Sequence, residues 1–147
     1  MNRLSCVLIV LLILSGYPSS AQYWLNKDRS QITNEFRDMK IAVSSTDSTL
    51  IFKTNSPKLK PAEKVFYFDS NGKCDRIVSV YDCEKCYLEE VKLVIKSRRY
   101  KWVQVDSLNY VTHDKINAEL HLRYQNQPFA YILKRVEAKL IENKLLY

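Results

Sequence analysis

The chain predicts an α+β fold: a mostly antiparallel sheet of about six to seven strands with two helices packed on one face. Three observations carry this. Two β-branched and aromatic runs, Lys64 to Phe68 and Arg76 to Tyr81, flank Asp69-Ser70-Asn71-Gly72, and Asn-Gly supplies the two positive-φ residues of a tight hairpin turn. Tyr87, Leu88, Val91, Val94 and Ile95 recur at helical spacing, with Glu89, Glu90, Lys92 and Lys96 opposite, which is an amphipathic helix over roughly Cys83 to Ser97. Ile116, Ala118, Leu120, Leu122 and Tyr124 alternate with Lys115, Asn117, Glu119, His121 and Arg123, the two-residue period of a half-exposed strand. Strands joined by short turns, with helices before and between them, close into an antiparallel sheet roofed by helices.

The N-terminus reads as a secretory signal over residues 1–21. Arg3 precedes an apolar run from Val7 to Leu14 and a small-residue exit at Ser19-Ser20-Ala21. The run is shorter than the ~20 residues that span a bilayer, so no transmembrane segment is expected after cleavage. Cys6 leaves with the signal. Residues 22–147 then form one domain, long enough for one core and too short for two. They carry 22 Lys and Arg against 16 Asp and Glu, a formal +6. Outside the cytoplasm, that sign points to a protein or an anionic envelope component, a lipid headgroup or glycan, and not to nucleic acid. Two glycines and four prolines in the whole chain argue against low-complexity linkers and Gly-rich phosphate loops. No internal repeat is visible, and nothing sets the oligomeric state.

In order along the mature chain, Tyr23-Trp24-Leu25 leads to a first helix over about Arg29 to Lys40, capped by Asp28 or Ser30, with Ile32, Phe36 and Met39 on its apolar side. Ile41-Ala42-Val43 and Thr49 to Lys53 form a first hairpin around Ser44 to Ser48. Pro57 and Pro61, with Lys58 and Lys60, mark an exposed basic loop. The central hairpin follows, its first strand apolar on both sides and therefore interior to the sheet. Asp82 caps the second helix, and Arg98 and Arg99 close it with positive charge at the negative end of its dipole. Tyr100, Trp102 and Gln104 begin a three-strand meander that continues through residues 115–124 and returns over Phe129 to Val136. Glu137 to Tyr147 carries a weak helical pattern.

Candidate chemistry concentrates at Cys83-Glu84-Lys85-Cys86, directly after a strand and opening a helix. A thiol there meets the positive end of the helix dipole, which favours thiolate and exchange chemistry. In an oxidising compartment, Cys74, Cys83 and Cys86 should yield one disulfide and one spare thiol, with connectivity open. A zinc site from these cysteines with His113 or His121 lacks the second half of a paired CxxC motif, so neither metal nor cofactor is expected. Both histidines read as solvent-facing. Arg98-Arg99-Tyr100-Lys101-Trp102 interleaves cations with aromatics and is the candidate binding surface for phosphates or sugars. Against it stands a packing reading, in which Tyr100 and Trp102 face the core.

The segment Ile77 to Ile95, with its strand, CxxC and helix, resembles the active site of thioredoxin-like oxidoreductases, with Pro128 as counterpart of their cis-proline. It departs from them in the Glu-Lys pair between the cysteines and in the hairpins before it. That resemblance implies thiol-disulfide oxidoreductase activity at Cys83 and Cys86 as the alternative function. Phe66 to Cys74, with the β-rich run and amphipathic helix after it and the exit Ala21-Gln22 before it, is similar to small exported bacterial proteins of unknown function. In layout the chain also resembles the helix-plus-meander modules of periplasmic inhibitor and assembly proteins. The leading expectation is a secreted or periplasmic, non-catalytic binding or envelope-associated module.

Overall fold

The computed structural model describes residues 24–37, 42–54, 61–97, 100–124 and 128–145. The signal segment, the basic loop around Pro57, and Arg98 and Arg99 lie outside them. Three helices, α1 (Arg29–Phe36), α2 (Glu84–Ile95) and α3 (Ala138–Leu145), accompany eight strands: β1 (Ala42–Ser45), β2 (Thr49–Lys53), β3 (Glu63–Phe68), β4 (Cys74–Tyr81), β5 (Val103–Gln104), β6 (Asn109–Thr112), β7 (Ala118–Arg123) and β8 (Phe129–Arg135). All pair antiparallel in one sheet of order β1-β2-β3-β4-β8-β7-β6-β5.

This order contains a repetition that the sequence does not display. A helix followed by a four-strand meander occurs twice. The helices begin at residues 29 and 84, and the last strands at residues 74 and 129, an offset of 55 in each case. Each meander runs from a sheet edge inward, so β4 and β8 meet at the centre, and α2 carries the chain from the centre out to the far edge.

Residues paired directly across an antiparallel ladder share a face, so the register assigns the two sides. One row on the core side runs Leu50, Phe66, Ile77, Leu133, Leu120, all of them buried. Two helices roof this side. Before and within α1, Trp24 and Phe36 close over Phe52 and Phe66, with Phe36 stacked on Phe52 at 4.3 Å between ring centroids and Trp24 5.2 Å from Phe36. The α2 helix lies over β4 and β8, where Tyr87 meets Tyr81 and Phe129 at 5.9 and 5.8 Å. Each such ring removes enough apolar surface from water to contribute about 1.5–3 kcal/mol.

Three expectations are corrected. The sheet has eight strands because Asn109–Thr112, which carries no long apolar run, forms β6; Asp106 organises its turn by accepting the backbone N–H groups of Leu108 and Asn109. Among the described residues the helices number three, and while α1 and α2 share a face the third does not. The α3 helix lies on the opposite side, where its Lys144 pairs with Glu119 of β7, a neighbour of core-facing Leu120. The central turn is also wider than a two-residue hairpin: Gly72 is left-handed at φ 72° and Asn71 is not. Asp69 Oδ1 instead accepts the N–H groups of Asn71 and Lys73. A one-residue slip beside this turn, between Tyr67 and Phe68, pairs Phe68 with Cys74 and leaves Asp75 without a ladder partner. That bulge aims Cys74 into the core, where it is fully buried.

Candidate functional site

Helix α2 begins at its disulfide. Cys83, not Asp82, is the N-cap: its backbone is extended and its Sγ accepts the N–H of Cys86 at 3.2 Å. Sulfur here takes the place that an oxygen usually fills, satisfying one of the orphan donors of the first turn. Cys83 and Cys86 are joined to each other, so the connectivity left open by the sequence is resolved, and Cys74 is the spare thiol. Cys83 is exposed and Cys86 is buried at 8 %. The bridge closes only one helical turn. Such a ring restrains the unfolded chain by about 2 kcal/mol, against about 3 for a fifteen-residue loop, so as a staple it contributes little. Burial pushes the Cys74 thiol up to about 12, with Asp75 adding to the shift, which keeps it protonated and inert.

The surroundings of the bridge are aromatic and polar. Tyr124 donates to Glu84 at 2.5 Å and stacks on Tyr87. Phe129 pairs with Tyr81 in the ladder, which brings Pro128 to the same end of the sheet as Asp82 and Cys83. The likeness to thioredoxin-like sites ends there, because every ladder here is antiparallel.

Beneath α2 lies a polar row. Lys64, Ser79 and Tyr131 sit side by side across β3, β4 and β8, and Tyr81 follows Ser79 on the same face. Burial holds the Lys64 ammonium below the usual lysine range, and Glu90 opposes the shift. Burial raises the Tyr81 and Tyr131 hydroxyls, and pushes Tyr87 up to about 12. The hydroxyls of Ser79, Tyr81, Tyr87 and Tyr131 are buried; that of Tyr131 lies close to those of Ser79 and Tyr81, yet none of the four makes a hydrogen bond of good geometry. Sequence reasoning missed this group; the tyrosines read simply as apolar positions.

In the segment proposed for binding, Tyr100 is buried, Trp102 is half-buried against the core and Lys101 is exposed. The rings of Tyr100 and Trp102 are thus engaged in packing. His113 is exposed, and His121, half-buried, bonds Asn109 Oδ1 at 2.7 Å. Among the described residues no group of three or more His, Cys, Asp and Glu is arranged to hold a metal ion, and no helix is long and apolar enough to cross a membrane. A cleft of about 460 Å³ lined by Asp75, Ile116, Asn117, Arg135, Val136 and Glu137 has its guanidinium engaged: Arg135 bonds Asp69 at 2.6 Å and Asn26 at 2.8 Å.

The side of the sheet away from α1 and α2 has its own pattern. Ile51, Val65, Val78 and Ile132 form one row across four adjacent strands. Val80 and Tyr67 stand in the flanking rows. Val65 is buried and the other five are half-exposed. Around them on the same face, Lys53, Arg76, Arg123 and Lys134 are exposed. Lys53 pairs with Glu63 at 3.0 Å, and Arg76 lies over the Tyr67 ring at 3.9 Å.

No family model, curated protein or solved structure matches this chain.

Proposed function

We propose that the protein is an exported binding module whose working surface is this second sheet face, a surface that does no chemistry, and that its partner is a protein with an acidic surface. The observation that carries the reading is the row Ile51, Val65, Val78, Ile132, three of its members still half-exposed, framed by four exposed cations. A contiguous apolar patch rimmed by polar groups is the anatomy of a protein interface, with the centre supplying desolvation and the rim supplying choice of partner. Lys53, Arg76, Arg123 and Lys134 outnumber Glu63 and Glu119 on this face, so a second copy laid against it would set like charges opposite one another. An acidic partner gains from the same arrangement. Export rests on the signal pattern of residues 1–21 and agrees with the disulfide.

Immobilised wild-type protein, Val78→Asp and Leu93→Asp, each presented with the exported protein fraction at low and physiological salt, provide the test. Val78→Asp puts a carboxylate in the centre of the patch, whereas Leu93 is exposed on α2. An acidic protein retained by wild type and Leu93→Asp should be lost by more than about tenfold from Val78→Asp, since an unpaired buried carboxylate costs well over the 1.4 kcal/mol that tenfold represents. Equal retention by both variants, concentration-dependent dimerisation of the protein itself, or retention by anionic lipid vesicles in place of a protein would overturn the proposal.

A further inference from the structure

Independently of the open sheet face, we infer that the Cys83–Cys86 bridge is a thiol-disulfide exchange site that accepts two electrons from a dithiol. Four observations converge on it. The ring spans a single helical turn and so has little to staple. Residue Cys83 is exposed and residue Cys86 is buried at 8 %, so the Cys83 side of the bridge offers the approach to an incoming thiolate. Both sulfurs sit in the first turn of a twelve-residue helix, where the Cys86 N–H already points at Cys83 Sγ. Cys74 is buried apart from them in the core, where it does not compete for the bridge.

The chemistry balances as follows. A partner thiolate attacks Cys83 Sγ; a mixed disulfide forms, the bond between the two protein sulfurs breaks, and Cys86 leaves as a thiolate and takes up a proton. The second thiol of the partner, deprotonated, then attacks its own sulfur in the mixed disulfide and expels Cys83 as a thiolate. The protein ends as a dithiol and the partner as a disulfide, two electrons having moved between them. The helix keeps its cap throughout, because the released Cys83 sulfur accepts the Cys86 N–H more strongly as an anion than as half of a bridge. Asp82 and Glu84 flank Cys83 and work against its thiolate, and the hydrogen bond from Tyr124 to Glu84 draws part of that charge away.

The full mature protein incubated with millimolar dithiothreitol, and its Cys86→Ser and Cys83→Ser variants incubated with oxidised glutathione, decide the matter when alkylated and glutathione-bearing products are mapped by mass spectrometry and the fold is followed by circular dichroism. The expected result is rapid opening of Cys83–Cys86 with the far-ultraviolet spectrum unchanged, and, in Cys86→Ser, a glutathione adduct on Cys83. The Cys83→Ser variant should form at least tenfold less adduct on Cys86. A bridge that opens only when the protein unfolds would overturn the inference, as would adducts forming equally on Cys86. Either result would leave the sheet-face proposal untouched, since Val78 belongs to the opposite side of the sheet.

Discussion

The two helix-meander units solve the same packing problem with different chemistry. Under α1 the rings of Trp24, Phe36, Phe52 and Phe66 interlock; apart from the indole N–H they bring only hydrocarbon. Under α2 the corresponding space holds Tyr81, Tyr87, Tyr131 and Phe129, and three of those rings bring a hydroxyl into the interior without a well-formed partner. A buried polar group left unsatisfied costs about 1–3 kcal/mol. The first unit is therefore the anchor of the fold. The second carries both the polar interior and the disulfide.

The largest effect expected from this contrast is at Phe66, where truncation to alanine removes a fully buried ring shared by three aromatic neighbours. Urea unfolding of Phe66→Ala should show a loss of about 3–5 kcal/mol. Next comes the bridge: the double variant Cys83→Ser/Cys86→Ser should lose no more than about 2 kcal/mol. A larger loss would make the bridge a structural staple and weaken the exchange reading. Tyr131→Phe sharpens the contrast most, because deleting a hydroxyl that lacks a good partner should leave stability unchanged or raise it by up to about 1 kcal/mol. A loss above about 1 kcal/mol would mean that the hydroxyls under α2 are satisfied and that the two interiors differ only in name.

One contact spans both units, and its pH dependence is fixed in sign. Backbone N–H donation from Lys73, then the Arg135 guanidinium and the Asn71 N–H, hold the Asp69 carboxyl below the usual carboxylate range. A group whose pKa is lower in the folded state stabilises the fold above its unfolded value, about 3.9, and loses that contribution as pH falls through the folded value. Asp69→Asn should therefore be less stable than wild type at neutral pH. The gap should close as pH drops below about 4, measured by urea midpoints across that range. A gap that persists undiminished at low pH would place Asp69's role in the turn's shape and not in its charge.

Much of this architecture is legible in residue order because period and turn chemistry are local. Strict alternation in Ala118–Arg123 and the stripe of α2 require no knowledge of what they touch. Asn109–Thr112 is not legible, being four residues long with no apolar run. The fold's repetition is hidden because the units bury phenylalanine in one case and tyrosine in the other, so the helix starts agree in position and not in residue type. The position of α3 is likewise a long-range fact, set where Lys144 meets Glu119. For the candidate site, the CxxC and its place before a helix are readable, whereas the pairing of Cys83 with Cys86 depends on a bulge at Asp75 that turns Cys74 inward. The segment Arg98 to Trp102 is ambiguous in sequence for a plain reason: aromatic residues beside cations look the same whether the rings bind a ligand or fill a core, and of the described residues Tyr100 is buried.

Everything proposed for the open face depends on α1 and α2 roofing one side of the sheet while α3, on the other side against β7, leaves the strip of Ile51, Val78 and Ile132 half-exposed. Val78 and Ser79 are neighbours in β4 whose side chains point to opposite sides, Val78 half-exposed and Ser79 fully buried. In a background with the native cysteines replaced by serine, maleimide labelling of Val78→Cys and Ser79→Cys under native conditions reads the two sides directly. Ready labelling of Val78→Cys with protection of Ser79→Cys is the predicted result. Protection of both, or labelling of Ser79→Cys alone, would contradict it.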